Sequence, residues 1–300
     1  MSNKTRYILL AVVLVLIGGS IYYLDDSDTG ISRLAEIAPA VSVMEKEGLY
    51  PRAREIVAPG GFVNTDGQPI TIAEHIGKSV VLVDIPTYSC INCVRVQPYL
   101  NAWHEKYRDH GLQIIGIHTP EFEFEKDINN VSRAMRDMEV KYPVVLDNDY
   151  GTWRAYQNSY WPRKYLIDID GYIVYDHIGE GGYEETEHTI QRLLAERVVR
   201  LGGDAEVPGG FVDPAGIESV ADRMPRTPEI YFGAWRNADY LANPKPGAGQ
   251  QNFVAPEALE TDALYLDGLW SVEQEYARGV VGSSIKLKYQ AKKVFMVASS

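Results

Sequence analysis

A chain of 300 residues with 45% hydrophobic content has the material for a real core and the length for about two domains. Its 29 basic residues against 41 acidic ones leave a formal net charge of −12, which argues against a nucleic-acid partner because phosphate binding needs a basic face. With two cysteines in all, Cys90 and Cys93, the chain is not a disulfide-stapled framework, which would spread its cysteines to close long loops.

The uncharged run Tyr7–Leu24 comes first, rich in Ile, Leu and Val. About 17–20 apolar residues suffice for a helix to cross a bilayer. Lys4 and Arg6 precede it while Asp25, Asp26 and Asp28 follow, so the positive flank should stay inside and the rest of the chain cross. Gly18-Gly19-Ser20 offers small residues for signal cleavage, but Ile21-Tyr22-Tyr23-Leu24 is a poor exit, and an uncleaved anchor over residues 1–24 is the expectation. Residues 25–57 read as a stalk with a helical patch near Ile37–Glu47, holding the next domain off the membrane.

A domain over residues 58–201 opens with turn chemistry at Asn64-Thr65-Asp66-Gly67-Gln68-Pro69. The continuous apolar run Ser79–Ile85 marks a strand buried on both faces of a parallel sheet. Cys90 follows it, then a helix from about Cys93 to Tyr107. Leu112–His118 reads as a second buried strand, Glu125–Met138 as an amphipathic helix and Tyr142–Leu146 as a third strand. A short helix near Gly151–Tyr156 leads to a hairpin, Lys164–Asp168 and Tyr172–Asp176 across Asp170-Gly171, and a last helix spans Tyr183–Leu201. This alternation predicts an α/β sheet with its parallel part covered on both faces. Residues 202–226, rich in Gly, Pro and Asp, read as a linker. Thr261–Trp270, Trp270–Tyr276 and Ser284–Ser300 read as strands of a truncated β-sandwich over 227–300, ending on the apolar stretch Lys293–Ala298.

Cys90-Ile91-Asn92-Cys93 carries the chemistry. A cysteine opening a helix meets free backbone N–H groups and the positive helix end, which favour its thiolate. Its pKa can then fall from ~8.5 into the ~3.5–7.5 range. The second cysteine, one turn inward, can attack the mixed disulfide and release the substrate. A zinc site needs about four ligands and no second pair or H-x-x-x-H exists; haem attachment needs histidine where Val94 stands. No metal or cofactor is expected. Asp84, six positions before Cys90 in the buried strand, would have a raised pKa and could take a proton from Cys93. The bland reading is a strand-end acid facing water. Pro98 would kink the long helix. The loop His118-Thr119-Pro120-Glu121 should open at the same carboxyl edge as the cysteines, where Glu121 either tunes the pair and steers substrates or is a solvated loop acid. His104 and His188 read as surface residues.

The stretch Phe62–Leu194 resembles the TlpA-like branch of the thioredoxin superfamily, and more narrowly the extracytoplasmic part of DipZ-type proteins. The resemblance rests on Thr87-Tyr88-Ser89-Cys90-Ile91-Asn92-Cys93, Pro98-Tyr99-Leu100, Trp103-His104-Glu105-Lys106-Tyr107 and Gly116-Ile117-His118-Thr119-Pro120-Glu121-Phe122. It continues through Asp147-Asn148-Asp149-Tyr150, Tyr160-Trp161-Pro162 and Gly179-Glu180-Gly181-Gly182-Tyr183-Glu184-Glu185-Thr186. It implies a thioredoxin fold, Cys90 as attacking and Cys93 as resolving thiol, Asp84 at the buried-acid position, Pro162 as a cis proline beside the supporting Trp161, and a carbohydrate-binding-module-like sandwich for 227–300. Ile85-Pro86 stands where the family usually carries an aromatic pair, and the multi-helix membrane domain that feeds electrons to DipZ is not in this sequence. Implied partners are therefore protein disulfides, a separate membrane electron donor, and cell-wall polysaccharide for the C-terminal segment.

The expectation is a thiol–disulfide oxidoreductase on the outer face of the cytoplasmic membrane, acting as a reductase. One alternative is a thiol peroxidase, since Thr87 lies three residues before Cys90, although Val83 replaces the proline that chemistry expects. Another is a cell-wall carbohydrate-binding protein with a structural disulfide, in which Tyr231, Trp235, Tyr240 and Trp270 stack on sugar rings.

Overall fold

The computed structural model describes residues 43–215, 227–237, 242 and 247–298. The expected membrane span Tyr7–Leu24 lies outside them, and among the described residues no helix is long and apolar enough to cross a membrane.

The larger unit runs α1 (Val43–Leu49), β1 (Gly61–Val63), β2 (Val80–Ile85), α2 (Ile91–Tyr107), β3 (Leu112–His118), α3 (Ile128–Asp137), β4 (Val144–Leu146), α4 (Gly151–Ala155), β5 (Arg163–Ile167), β6 (Ile173–Ile178) and α5 (Tyr183–Arg200). Its sheet has the order β1-β4-β3-β2-β5-β6. β2, β3 and β4 are parallel, and β1, β5 and β6 pair antiparallel to their neighbours. This is a thioredoxin-like α/β fold with a central mixed sheet.

All six residues of β2 are buried because both faces of the sheet are covered. Side chains alternate across a strand, so Val80 and Leu82 face a core built with Val96, Leu100 and Trp103 of α2, Val131 and Met135 of α3, and Ile190, Leu193 and Leu194 of α5. Val81, Val83 and Ile85 face the other core, closed by Ile70, Ile72 and Tyr156 with Ala53, Ile56 and Trp153. Burial of each such aliphatic side chain contributes ~1.5–3 kcal/mol.

Residues 43–57 correct the expected stalk, because the chain here is docked on the domain. The Ala53 N–H donates to the Gly171 carbonyl at 3.0 Å and the Ile173 N–H to Pro51 at 2.9 Å. Lys46 is 3% exposed, with Nζ 2.7 Å from Asp168, 2.9 Å from Asp170 and against Glu196. Burial alone would lower its pKa, but the three carboxylates outweigh that and hold the ammonium above its ordinary range. The helical patch expected near Ile37–Glu47 overlaps α1; the three acids converging on Lys46 from a turn and α5 were not legible.

The expected helix Glu125–Met138 divides at Asp127. A short 3₁₀ turn, Glu123–Lys126, comes first, and extended Asp127 (φ −74°, ψ 116°) then caps α3 by accepting from the Asn129 N–H at 2.8 Å. The hairpin forms as expected, its turn closed by the Gly171 N–H on Asp168 at 3.0 Å, with Gly171 at φ +88° where a side chain would be strained. The described part of the linker is also held down: the Gly210 carbonyl accepts from Lys106 at 2.7 Å and Gln191 at 2.6 Å, and Val207 and Val212 pack on the first core.

The smaller unit is a separate antiparallel sheet of β7 (Gly249–Phe253), β8 (Ala263–Val272), β9 (Ala277–Gly279) and β10 (Ser284–Lys288), ordered β10-β8-β7 with β9 on β8. Two corrections follow. The two strands expected to meet at Trp270 give way to one strand, β8, which runs past Trp270 to Val272 and pairs over its two halves with different partners, while residues 273–276 form the turn into β9. The terminal stretch Lys293–Ala298 is not a strand, and Val294, Phe295, Met296 and Val297 are each at least half exposed. Among the described residues this unit is one sheet with a small core of Phe253, Leu264, Leu266, Trp270 and Val272, not two facing sheets.

Candidate functional site

Strand β2 ends at Ile85 and the chain turns through Thr87–Ser89 so that Cys90 is the N-cap of α2, extended at φ −72°, ψ 119°. Its carbonyl accepts the Val94 N–H at 3.0 Å, the first bond of the helix. Cys90 is half-buried and Cys93, one turn in, is 5% exposed; both are free thiols. The two sulfurs are pushed apart in acidity. The side-chain hydrogen bond from Cys93 lowers the Cys90 pKa, with help from the Cys93 and Asn92 backbone N–H groups and against burial and the charge of Glu229. Burial raises Cys93 well above the thiol range, and the negative charges of Cys90 and Asp84 act in the same direction.

Asp84 is 1% exposed and points to the α2 side of the sheet, in the column below Val80 and Leu82. The water-facing reading is therefore excluded. Burial raises its carboxyl pKa to about 7, against the opposing charge of Lys164. Its Oδ1 has no hydrogen-bond partner in the structure. Lys164 sits directly opposite on β5 and is fully buried, a residue that sequence reading placed in a strand and gave no role. No local signal marks it, because its place opposite Asp84 follows from the register of β5 on β2.

Trp161-Pro162 is a cis peptide, and buried Pro162 immediately precedes β5. Because Arg163 pairs with Ile85, Pro162 stands beside the carboxyl end of β2 and the turn leading to Cys90. Its carbonyl accepts the Gly179 N–H at 2.8 Å. Trp161 donates from Nε1 to the Thr119 carbonyl at 3.0 Å and packs on Trp153 with ring centres 4.3 Å apart. Cys90, Cys93, Asp84, Pro162 and Trp161 thus gather at one sheet edge.

Glu121 is not a solvated loop acid. Its Oε1 accepts from Tyr231 Oη at 2.8 Å and Arg236 at 2.7 Å, and Arg236 lies over the Tyr231 ring at 4.2 Å. It is 12% exposed, an anchor between the two units. The acid that organises the loop is Glu125, which sequence reading had put inside a helix. It is fully buried and accepts from the Ser89 hydroxyl at 2.5 Å, the Ser89 N–H at 3.3 Å, the Glu121 N–H at 2.5 Å and the Phe122 N–H at 2.9 Å. It therefore ties the residue before Cys90 to the neighbouring loop. Glu125→Ala is expected to lower stability by roughly 1–3 kcal/mol, because these donors are stranded. Glu125→Gln, which keeps one acceptor oxygen, should fall between; urea denaturation of the variants checks the order.

His118 is buried beside the same loop, with Tyr88 stacked on it at 5.4 Å and the Tyr88 N–H donating to its Nε2 at 3.4 Å. Burial lowers its pKa to about 4, so it is neutral near pH 7. His188 is exposed as expected, whereas His104 is half-buried against the Tyr142 ring at 5.7 Å. Of the four aromatic candidates for sugar stacking, Trp270 is 6% exposed in the small core, Tyr231 is bound to Glu121, Trp235 is 67% exposed, and Tyr240 lies outside the described residues.

Comparison with known proteins bears on this site. The Redoxin family matches residues 38–194, and the family described as Thioredoxin like C-terminal domain matches residues 227–300. Protein DipZ of Mycobacterium tuberculosis is 36% identical over 271 residues, covering 89% of this chain and 37% of its own. The chain thus spans just over a third of the length of that relative. Thiol-disulfide oxidoreductase YkuV of Bacillus subtilis is 27% identical over 127 residues, covering 42% of this chain and 85% of its own. A solved thioredoxin-like protein in its oxidised form covers 49% of this chain and 97% of its own at 25% identity, with a TM-score of 0.45.

Proposed function

This chain belongs to the Redoxin family and is a thioredoxin-like oxidoreductase, and from that premise we propose that it reduces disulfides of extracytoplasmic proteins through Cys90 and Cys93. The observation that carries the proposal is the arrangement within one turn of helix: a half-buried sulfur at the helix N-cap, a second sulfur buried one turn inward, and a buried carboxyl on the adjoining strand.

In the first step the Cys90 thiolate attacks one sulfur of a substrate disulfide. The Cys90–substrate S–S bond forms, the substrate bond breaks, and its second sulfur leaves with the electron pair. In the second step Cys93 attacks Cys90 and its proton passes to Asp84. The Cys90–Cys93 bond forms, and the first substrate sulfur leaves as thiolate to take a proton from water. Two electrons have moved from the pair to the substrate. Return to the dithiol state needs two electrons and two protons from a separate dithiol donor, which we place in the membrane. Tyr7–Leu24 tethers the protein there, with Lys4 and Arg6 on the cytoplasmic side. Pro162 and Trp161, beside the carboxyl end of β2, flank the substrate as it reaches Cys90.

The test is insulin-disulfide reduction by the full chain in detergent, with the reduction potential of the pair from glutathione titration. Turnover that needs Cys90, with a potential more reducing than the glutathione couple, supports the reductase reading. A more oxidising potential reverses the direction of exchange. Consumption of peroxide in its place would favour the peroxidase. A redox-inert pair, with polysaccharide retention unchanged by Cys90→Ser, would favour the binding protein.

A further inference from the structure

The edge that carries Cys90 has a second wall, supplied by the smaller unit. Over residues 230–234 alternate side chains, Ile230, Phe232 and Ala234, pack on the small core. Glu229 and Tyr231 fall on the other side, toward the loop that follows β3. There Tyr231 Oη meets Glu121 at 2.8 Å, its ring lies 6.5 Å from that of Phe122, and Arg236 closes on Glu121 at 2.7 Å. The segment is also braced from behind. The Ala234 N–H donates to the Glu273 carbonyl at 2.9 Å and the Trp235 N–H to Gln274 at 3.0 Å, while the Glu123 N–H donates to the Glu275 carboxylate at 2.9 Å. Through Glu125, which binds both the Glu121 N–H and the Ser89 hydroxyl, this wall is tied to the residue before Cys90.

Glu229 is the unbalanced charge of this wall. It is exposed, and its Oε2 lies 3.2 Å from Tyr231 Oη. A phenol has one proton to donate, and the shorter bond to Glu121 claims it. The basic side chains around the edge are already matched: Arg236 with Glu121, Arg95 with Glu180 at 3.4 Å, and Arg163 with Asp176 at 2.6 Å. Among the described residues none is paired with Glu229. Its charge nevertheless reaches Cys90, where it works against the thiolate. A carboxylate held beside an attacking sulfur opposes the nucleophile in the free protein, and a cation brought between the two relieves that opposition.

Resting on the exchange reaction above, we infer that Glu229 is a specificity-determining residue, selecting disulfides whose attacked cysteine is flanked by lysine or arginine. The incoming cation sits between the Glu229 carboxylate and the Cys90 sulfur as the substrate S–S bond comes within reach. It pairs with the first and favours the thiolate of the second, so a basic flank is rewarded both in approach and in attack. An acidic flank sets a third negative charge against these two, and rejection therefore comes from the same side chain.

The test has two arms. In the first, the full chain in detergent reduces disulfide peptides that differ only in carrying Lys, Gln or Glu next to the cysteines. The Lys peptide is expected to exceed the Glu peptide in kcat/KM by roughly tenfold at low salt, with the gap closing as salt is raised. Glu229→Gln should bring that ratio near one, and Glu229→Lys should invert it. Because the whole chain is acidic, Asp109→Asn serves as the control: it removes the same charge at an 84% exposed site just past the C-terminal end of α2, and should leave the ratio as in the wild type. A ratio untouched by Glu229→Gln, or closed as far by Asp109→Asn, overturns the inference. The second arm needs no turnover. Cys90 is alkylated with neutral iodoacetamide and with anionic iodoacetate, and the ratio of the two rates cancels any change in thiolate fraction. Iodoacetate should gain about fivefold on iodoacetamide in Glu229→Gln, and an unchanged ratio overturns the inference. Reduction of all three peptides at equal rates defeats this inference alone, whereas reduction of none defeats the exchange reading and this inference with it.

Discussion

Cys93→Ser is expected to stop turnover at a covalent intermediate, and Cys90→Ser to abolish it before any covalent bond forms. The two cysteines occupy unlike places: Cys90 is half-buried at the helix N-terminus with its sulfur favoured as thiolate, and Cys93 is 5% exposed with its sulfur favoured as thiol. A substrate sulfur can meet the first but not the second. Without Cys90 no attack begins, and insulin reduction should fall by roughly 10³-fold or more, the scale seen when a nucleophile is removed. Without Cys93 the attack still occurs, but the mixed disulfide can be resolved only by an outside thiol. Mass spectrometry of Cys93→Ser after brief exposure to a disulfide peptide should then show a one-to-one adduct on Cys90, released by dithiothreitol. Equal adduct formation on Cys93 in the Cys90→Ser protein would contradict the assigned order of attack. Cys93→Ala, unlike Cys93→Ser, removes the side-chain donor that is the first cause of Cys90's acidity, so the Cys90 thiolate in Cys93→Ala should form at higher pH than in the wild type, by alkylation rate against pH.

The parts legible in the sequence are those written in local pattern. The run Val80–Ile85 had to be a strand covered on both sides, Asp170-Gly171 had to turn, and a cysteine pair straight after a buried strand had to open a helix. Misplaced features depend on contacts between distant segments. Residues 43–57 read as a spacer because nothing nearby announces that Asp168, Asp170 and Glu196 will converge on Lys46. Glu125 read as a helix residue because its four donors lie in two loops, one of them 36 residues away. Lys164 read as ordinary because its meaning arises only when β5 is set beside β2 in the observed register. In the smaller unit, β8 was cut at Trp270 because pairing with different strands over its two halves leaves no local mark. The pattern at Lys293–Ala298 is strand-like, yet a strand needs a paired edge, and this stretch belongs to no strand and is exposed.

Asp84→Asn is expected to slow the reaction while making the protein more stable at pH 8, two effects with one origin. The carboxyl pKa rises from 3.8 in the unfolded chain to about 7 in the fold because burial disfavours the charged form. Between those values the folded state keeps a proton that the unfolded state has lost. Stability linked to Asp84 is therefore fully present below about pH 4 and is lost as pH rises toward 7, by ~4 kcal/mol at most for a shift of this size. Asparagine has nearly the same shape and no proton to lose, so Asp84→Asn should flatten the dependence of stability on pH between 4 and 8. The gain at pH 8 falls short of the full figure because buried Lys164 loses the charge that faces it. Urea denaturation at both pH values reads the difference; an equal gain at pH 4 and pH 8 would show that the group does not titrate in this window. Catalysis moves the other way. An amide cannot accept the Cys93 proton, and that thiol is held well above its ordinary pKa by burial. Loss of a positioned general base typically removes 10²–10⁴-fold, so resolution of the mixed disulfide at pH 7 should slow by about 10²-fold. The deficit should shrink at higher pH, where hydroxide begins to replace the carboxylate. First-step attack by Cys90 should stay near the wild-type rate, since the hydrogen bond and helix-end N–H groups that favour its thiolate do not involve Asp84. A buried acid that destabilises the resting fold yet speeds the resolving step is placed for chemistry, and the opposite signs of these two measurements distinguish it from an acid that packing merely tolerates.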